Sequence, residues 1–339
     1  MPVAISLPDM PPEIQLQIAE FAQSKQAMNA LSITCRRLCR IAQSVLFKTL
    51  FIHLSMESRG LFSGLLANPR LCASVRLLRL VSKYWVNGLA HRYGEGTLSL
   101  CKNLLPRLVG LRTLHMYDVD LMAGLLETFL EIAANISLTV YLGGIGRTDT
   151  AALLPARTVS LRISRFSICI YNTDLDYSPF LFLLRASATA LTVLDLSLYR
   201  DELMRFEGIV LPSLRKLFLH LQTPFCYPSK KGAGFIAAQR GITWLFLDGD
   251  IDIHPFPPDA LPNLRTLCAP TRFIKTLISG RPVGVIYAQR DGQVNEPGWP
   301  KEEIAQSRAS ILPTPRPAVD GLENVNGVPG PFLFFGSKA

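Results

Sequence analysis

No stretch of this 339-residue sequence is long and apolar enough to cross a bilayer as one helix. The most apolar run, Ile132 to Gly146, is bounded by Glu131 and Arg147, short of the ~20 residues a span needs. The N-terminal segment lacks a basic patch, and Asp9 and Glu13 stand where the apolar core of an export signal would lie, so the expectation is an unexported chain of the cytoplasm, the nucleus or both. Among the seven cysteines, Cys35, Cys39, Cys72, Cys101, Cys169, Cys226 and Cys268, no CxxC pair occurs; reduced, mostly buried thiols are expected, without disulfide framework or zinc site. The five histidines form no HxxxH, HExxH or Cys-His spacing, and the GxSxG, GxGxxG and P-loop patterns are missing. The glycines of GGIGRTD, 143 to 149, lack the GK[ST] ending that cradles phosphate and read as a turn. Asp248, Asp250 and Asp252 alternate, but Pro257 and Pro258 fall where an EF-hand loop continues, so they read as a solvated strand edge. No catalytic residue, metal or cofactor is assigned, and the chain is not expected to be an enzyme.

Charge is also scarce. Charged residues make up 18% of the chain against 49% hydrophobic, and mean hydropathy is +0.25. A chain this apolar has to bury or pair much of its surface. Lys and Arg number 35 against 26 Asp and Glu, a net charge of +9. The basic residues are dispersed, with local pairs at Arg36/Arg37 and Lys230/Lys231, and no aromatic-rich nucleic-acid motif accompanies them. A solvated surface is therefore expected in place of a nucleic-acid partner.

What is present is pattern, in three zones. From Leu7 to Ile52 the period is helical: Asp9 can cap a helix, Pro11 and Pro12 suit its first turn, and Ile14, Ile18 and Phe21 share one face. A second helix is expected from about Ala27, with Leu31, Cys35, Leu38 and Ala42 on one face, followed by a short apolar segment, Val45 to Ile52. From Val75 to Val285 an LxxLxL pattern recurs, centred on Leu78, Leu114, Leu161, Leu194, Leu217, Leu245 and Leu267. The last three steps are 23, 28 and 22 residues, and the 47-residue step from Leu114 to Leu161 leaves room for one more member at Val140. Helix-like stretches at 121 to 135, 178 to 190 and 271 to 279 lie between these strands. A short strand alternating with a helix at this period is how leucine-rich repeats bury a face that no single unit covers alone. The fold class expected is α/β of repeat type, with an irregular leucine-rich-repeat domain over 56–289. Beyond it, 290–339 is Pro-rich and expected to be partly disordered, with a short helix near Glu302 to Arg308. Its end, PFLFF at 331 to 335, either docks on the last repeat or stays free.

The N-terminal residues carry a resemblance. MPPEIQLQIAEF, Met10 to Phe21, resembles the first helix of an F-box, and ALSITCRRLCRIAQSVLFKTLFI, Ala30 to Ile52, resembles its second half, with Cys35, Arg36, Arg37 and Leu38 at the centre. The likeness runs from Met10 to Ile52, within an F-box-like helical module assigned to 1–55; the repeat zone is similar to the leucine-rich-repeat half of many fungal F-box proteins. Met10 replaces the usual Leu, and Gln15 occupies a position that is usually apolar. The resemblance implies a substrate receptor of a ubiquitin ligase, whose helical module docks on a Skp-type adaptor, and through it a cullin, while the repeats hold an as yet unidentified substrate protein. Carried over by position, Pro11, Ile14, Leu16, Ile18, Leu31, Cys35 and Leu38 are the residues that face the adaptor or build the module's core. The alternative is a repeat scaffold with no link to a ligase, capped by its N-terminal helices.

Strand residues flanking the buried leucines point to the other face of a repeat sheet. Tyr117, Arg162, Tyr199, Phe218, Trp244 and Phe246 are the substrate-facing candidates, centred on the last three, unless loops or the tail cover them. Arg162 and Lys216 would read a phosphorylated substrate, if recognition requires one.

Overall fold

Two prolines and a single acid start the first helix. In the computed structural model the described residues are 6–22, 24–54, 58–81, 95–116, 119–143, 159–169, 177–222, 233–249 and 256–289. The chain divides into two units, Met1–Gly298 and Trp299–Ala339, and all described elements belong to the first. The expected tail at 290–339, with its short helix and its PFLFF end, lies outside the described residues, as do Tyr117, Asp250, Asp252 and Cys226.

Helix α1 (Pro12–Ala22) opens where a missing N–H donor is harmless, and the Gln15 N–H closes on the Pro11 carbonyl at 3.1 Å. Asp9, expected as its cap, lies instead in a 3-10 turn, Leu7–Asp9, where its carboxylate accepts from the Ser6 hydroxyl. The single helix expected from Ala27 is two, α2 (Lys25–Thr34) and α3 (Arg36–Leu46), parted by one extended residue, Cys35, at φ −157° and ψ 163°. The spacing of Leu31, Cys35, Leu38 and Ala42 runs unbroken across this joint and conceals it. Cys35 Sγ accepts from the Leu38 N–H at 3.5 Å and caps α3, as Ser24 Oγ caps α2 by accepting from the Ala27 N–H at 3.0 Å.

The remaining elements alternate. The strands are β1 (Thr49–His53), β2 (Leu77–Val81), β3 (Thr113–Met116), β4 (Leu138–Gly143), β5 (Ile163–Cys169), β6 (Val193–Tyr199), β7 (Lys216–Gln222), β8 (Trp244–Asp248), β9 (Thr266–Pro270) and β10 (Val285–Gln289). They form one parallel sheet of 10 strands, side by side in chain order. Parallel neighbours require crossovers. Among the described residues these hold α4 (Arg59–Leu66), α5 (Pro69–Ser74), α6 (Glu95–Leu104), α7 (Val119–Asn135), α8 (Ser178–Ala186), α9 (Ala233–Ala238) and α10 (Thr271–Ile278), with a 3-10 turn, Arg200–Phe206, between β6 and β7. The α/β class expected from the sequence therefore holds. None of the described helices is long and apolar enough to cross a membrane.

Register explains the leucine pattern. Leu50, Leu78, Leu114, Val140, Phe166, Leu194, Leu217, Leu245, Leu267 and Ile286 lie opposite one another across the whole sheet. Alternate strand residues share a face, and this ladder from Leu50 to Leu267 packs against Phe62, Phe129, Phe180, Phe235 and Phe273 of the crossovers, so the core lies between the sheet and its helices, while Ile286 at its end is exposed. Full burial of such side chains contributes about 1.5 to 3 kcal/mol each. Val140 occupies the place predicted for it. Two strands escaped the sequence pattern: β1, which the segment 1–55 supplies in addition to its helices, and β10. The strand expected at 158–163 is displaced. Leu161 is buried in the approach to β5, which starts at Ile163 and shifts register against β4 at Leu138/Thr139, so Arg165 and Ser167 take the face expected for Arg162.

Candidate functional site

The candidate residues read from the sequence fall on the helical module and on or beside the sheet face opposite the crossover helices. In the module, α3 packs against α1 and α2 and also reaches α5 beside the sheet. Its core is small, built on Ala19, Met28 and Ala42 with Ala22, Leu31, Ile41, Val45 and Leu46 around them. Gln15 is buried at the entrance. Its side-chain N–H groups donate to the Leu7, Pro8 and Met10 carbonyls, each at 3.0 Å, and so latch the 3-10 turn onto α1. An apolar residue at this position could not make that latch.

The structure separates the candidate adaptor residues. Leu38 is buried, Leu31 packs on the core, and Cys35 is half-buried as the cap of α3, so each has a role inside the module. Pro11, Ile14 and Leu16 are exposed and Ile18 is half-buried. The most exposed apolar side chains of the module are Phe21 at 83% and Ile33 at 85%. Neither was among the candidates: Phe21 shares a helical face with Ile14 and Ile18 in sequence, while Ile33 lies off the Leu31 face and gave no periodic signal.

On the open sheet face a second ladder runs Phe51, Arg79, His115, Tyr141, Ser167, Asp195, Phe218, Phe246, Cys268 and Tyr287. Strands about 4.8 Å apart bring such neighbours into contact. The Phe218 ring lies 4.3 Å from Trp244 and 6.1 Å from Phe246, and the Lys216 ammonium sits 5.6 Å from the Trp244 ring. The Arg165 guanidinium stacks 5.8 Å from the Tyr141 ring. Packing buries the proposed aromatic centre more than expected. Phe218 and Phe246 are only 4% and 5% exposed, which corrects their reading as exposed anchors; half-buried Trp244 is the reachable member of the trio. Arg162 is exposed but precedes β5, with Nη1 donating to the Asn135 carbonyl at 3.3 Å, so it belongs to the sheet's edge and not to this face. Tyr199 ends β6, and its side chain, like all of Tyr117, lies outside the described residues.

Electrostatics concentrate at Asp195, which is fully buried. His220 Nε2 lies 3.9 Å from its Oδ1 and His220 Nδ1 lies 3.6 Å from Asp248 Oδ2. Burial raises the Asp195 pKa above the usual carboxylate range; His220, Arg165 and Ser167 pull it back down less strongly, Ser167 without completing a hydrogen bond of normal geometry. On the same row His115 is buried against Tyr141, at 4.2 Å between ring centroids, and burial with the nearby Arg79 charge lowers its pKa to about 3. Four cysteines, Cys72, Cys101, Cys169 and Cys268, are buried as expected, and burial pushes the Cys101 thiol up to about 12, away from reactivity. Comparison with known proteins adds no relative to this geometry: no protein-family model matches the chain, and no curated protein sequence matches it.

Proposed function

We propose that the chain is a substrate-receptor subunit of a ubiquitin ligase built on a Skp-type adaptor and a cullin. In this reading α1, α2 and α3 form an F-box-like module that docks on the adaptor, and the strand and helix units form an irregular leucine-rich-repeat solenoid that holds a substrate protein. The receptor does no bond chemistry itself; it joins two proteins in the cytoplasm or nucleus. The observation that carries the reading is the solvent exposure of Phe21 and Ile33, together with Ile14 and Leu16, on the two helices whose sequence resembles the F-box. A mere cap would turn its large apolar side chains toward the first strand and helix of the sheet. Burying several such groups at about 1.5 to 3 kcal/mol each supports stable pairing of a helix face with a partner groove. The parallel order of the strands and the leucine ladder support the solenoid half.

The test is capture of a purified Skp-type adaptor by the full chain and by Ile14→Asp/Ile18→Asp. Capture by the first and not the second is expected; a folded full chain that captures nothing sinks the reading. A truncation made for the same purpose should end at Leu46, because removal to residue 55 would also delete β1.

A further inference from the structure

The basic residues that look dispersed in sequence gather in space. Each strand is entered by a short lead-in, and lead-ins of neighbouring strands are hydrogen-bonded: Arg76 N–H donates to the Lys48 carbonyl at 2.9 Å, Arg112 N–H to the Arg76 carbonyl at 2.8 Å, and Thr139 N–H to the Arg112 carbonyl at 2.8 Å. Farther along, Arg215 N–H donates to Thr192 O, Thr243 N–H to Arg215 O and Arg265 N–H to Thr243 O, each at 2.9 Å. Lys48, Arg76, Arg112, Arg215 and Arg265 therefore stand in one row along the edge where the strands begin, with Arg162 beside it. Adjacent strands are about 4.8 Å apart, so the first three form a run of cations at that spacing and the last two stand about 10 Å apart.

Three of the guanidiniums are held in place. Arg76 Nη1 donates to Ala73 O at 2.6 Å, Arg162 Nη1 to Asn135 O at 3.3 Å and Arg215 Nη1 to Gly241 O at 3.0 Å. A side chain at Gly110 would collide with the Arg76 guanidinium, and one at Gly241 would lie 2.5 Å from Arg215 Nη1, so both turns keep room for the preceding unit's arginine. Anchoring through Nη1 presents the Nε and Nη2 side of the fork, which matches a carboxylate bidentately, with less entropy lost on binding. Arg112 and Arg265 are exposed, and their side chains form no hydrogen bond or ion pair among the described residues. Glu20 pairs with Lys48 at 3.0 Å, so the charge of the row rests on its arginines, and Asp259 lies beside buried Arg281.

We propose that this edge is a docking surface for an extended acidic protein segment, rich in Asp and Glu. Nucleic acid fits less well. The exposed hydrophobics of the lead-ins are aliphatic, Val109 before β3 and Val210 before β7, and the described lead-ins present no exposed aromatic ring on which bases could stack. The proposal does not depend on the adaptor module.

Fluorescence anisotropy of labelled poly-glutamate, and of a labelled mixed-sequence single-stranded oligonucleotide, tests it on the full chain. Arg112→Glu/Arg265→Glu, which breaks no side-chain hydrogen bond, should weaken poly-glutamate binding about tenfold. The charge-matched control Arg40→Glu/Lys275→Glu, on α3 and α10, should change it less than twofold by the same reckoning. No binding by the unmodified chain, or equal loss in edge variant and control, overturns the proposal. Tighter oligonucleotide binding that is lost in the edge variant also overturns it and makes the edge a nucleic-acid surface. Adaptor capture by the edge variant should be unchanged, which keeps this test separate from that of the receptor reading.

Discussion

Across the sheet, Leu50, Leu78, Leu114, Leu194, Leu217, Leu245 and Leu267 are all buried, and phenylalanines from the crossovers close over them. In the helical module the buried apolar residues of the three helices are Ala19, Met28, Leu38 and Ala42, while Phe21 and Ile33 stand in solvent. The crossover phenylalanines thus serve folding, whereas Phe21 and Ile33 of the module are withheld from it. A core centred on two alanines and one methionine, with one buried leucine beside it, buries less area than the sheet's ladder, and the module also contacts α5 through α3. In the proposed reading the module's exposed residues serve a contact with a partner, while the sheet's buried ladder serves its own cohesion.

The most severe way to probe this contrast is to cut into each core. Leu217→Ala, at the middle of the ladder, should destabilise the sheet by about 3 to 5 kcal/mol in chemical denaturation, and Met28→Ala in the module by about 2. Equal losses would mean that the module's core is not the weaker one. Polar latches come next. Buried Gln239 donates to Ile209 O at 2.7 Å and Phe235 O at 2.9 Å and accepts from Leu211 N–H at 2.9 Å, so Gln239→Leu should cost about 2 to 3 kcal/mol. Gln15→Leu should cost about 1, since it restores the usual apolar residue and removes a buried, unbonded Oε1.

Proton linkage gives a smaller and directional test on the sheet alone. The His115 pKa falls from 6.5 to about 3 on folding, so the unfolded chain takes up the proton first and stability is lost as pH drops through that window. His115→Gln should flatten this part of the stability curve. Asp195 acts in the opposite sense: its raised pKa contributes stability below about pH 4 that is lost as pH rises through the folded value. Asp195→Asn should therefore gain stability at pH 7 and little in acid, measured by thermal unfolding. The smallest stability effect belongs to Phe21→Asp/Ile33→Asp, within about 0.5 kcal/mol of the unmodified chain.

The strands around Leu194, Leu217, Leu245 and Leu267 were legible because each repeats LxxLxL within a few residues of the same spacing. β1 was not, since Leu50 and Ile52 follow directly on the helical pattern of α3 and alternate too briefly to announce a strand. β5 was misplaced because Leu161 completes the motif while the chain holds extra residues before Phe166. The break at Cys35 was hidden by a helical spacing that continues through an extended residue. Of the candidate sites, the helices were readable from Pro11, Pro12 and the Cys35 to Leu38 motif. Which of their apolar residues face outward was not, because helical period reports one face and the packing of α3 decides which face is covered. The basic edge was invisible for a different reason: its members are one per unit, and only register puts them side by side.

The account stands most directly on one paired measurement, adaptor affinity and unfolding free energy determined on the same Phe21→Asp/Ile33→Asp protein. The account predicts loss of adaptor binding with stability unchanged. Retained binding, or a fall in stability as large as that of Met28→Ala, would contradict it, the first by removing these residues from the interface and the second by returning them to the core.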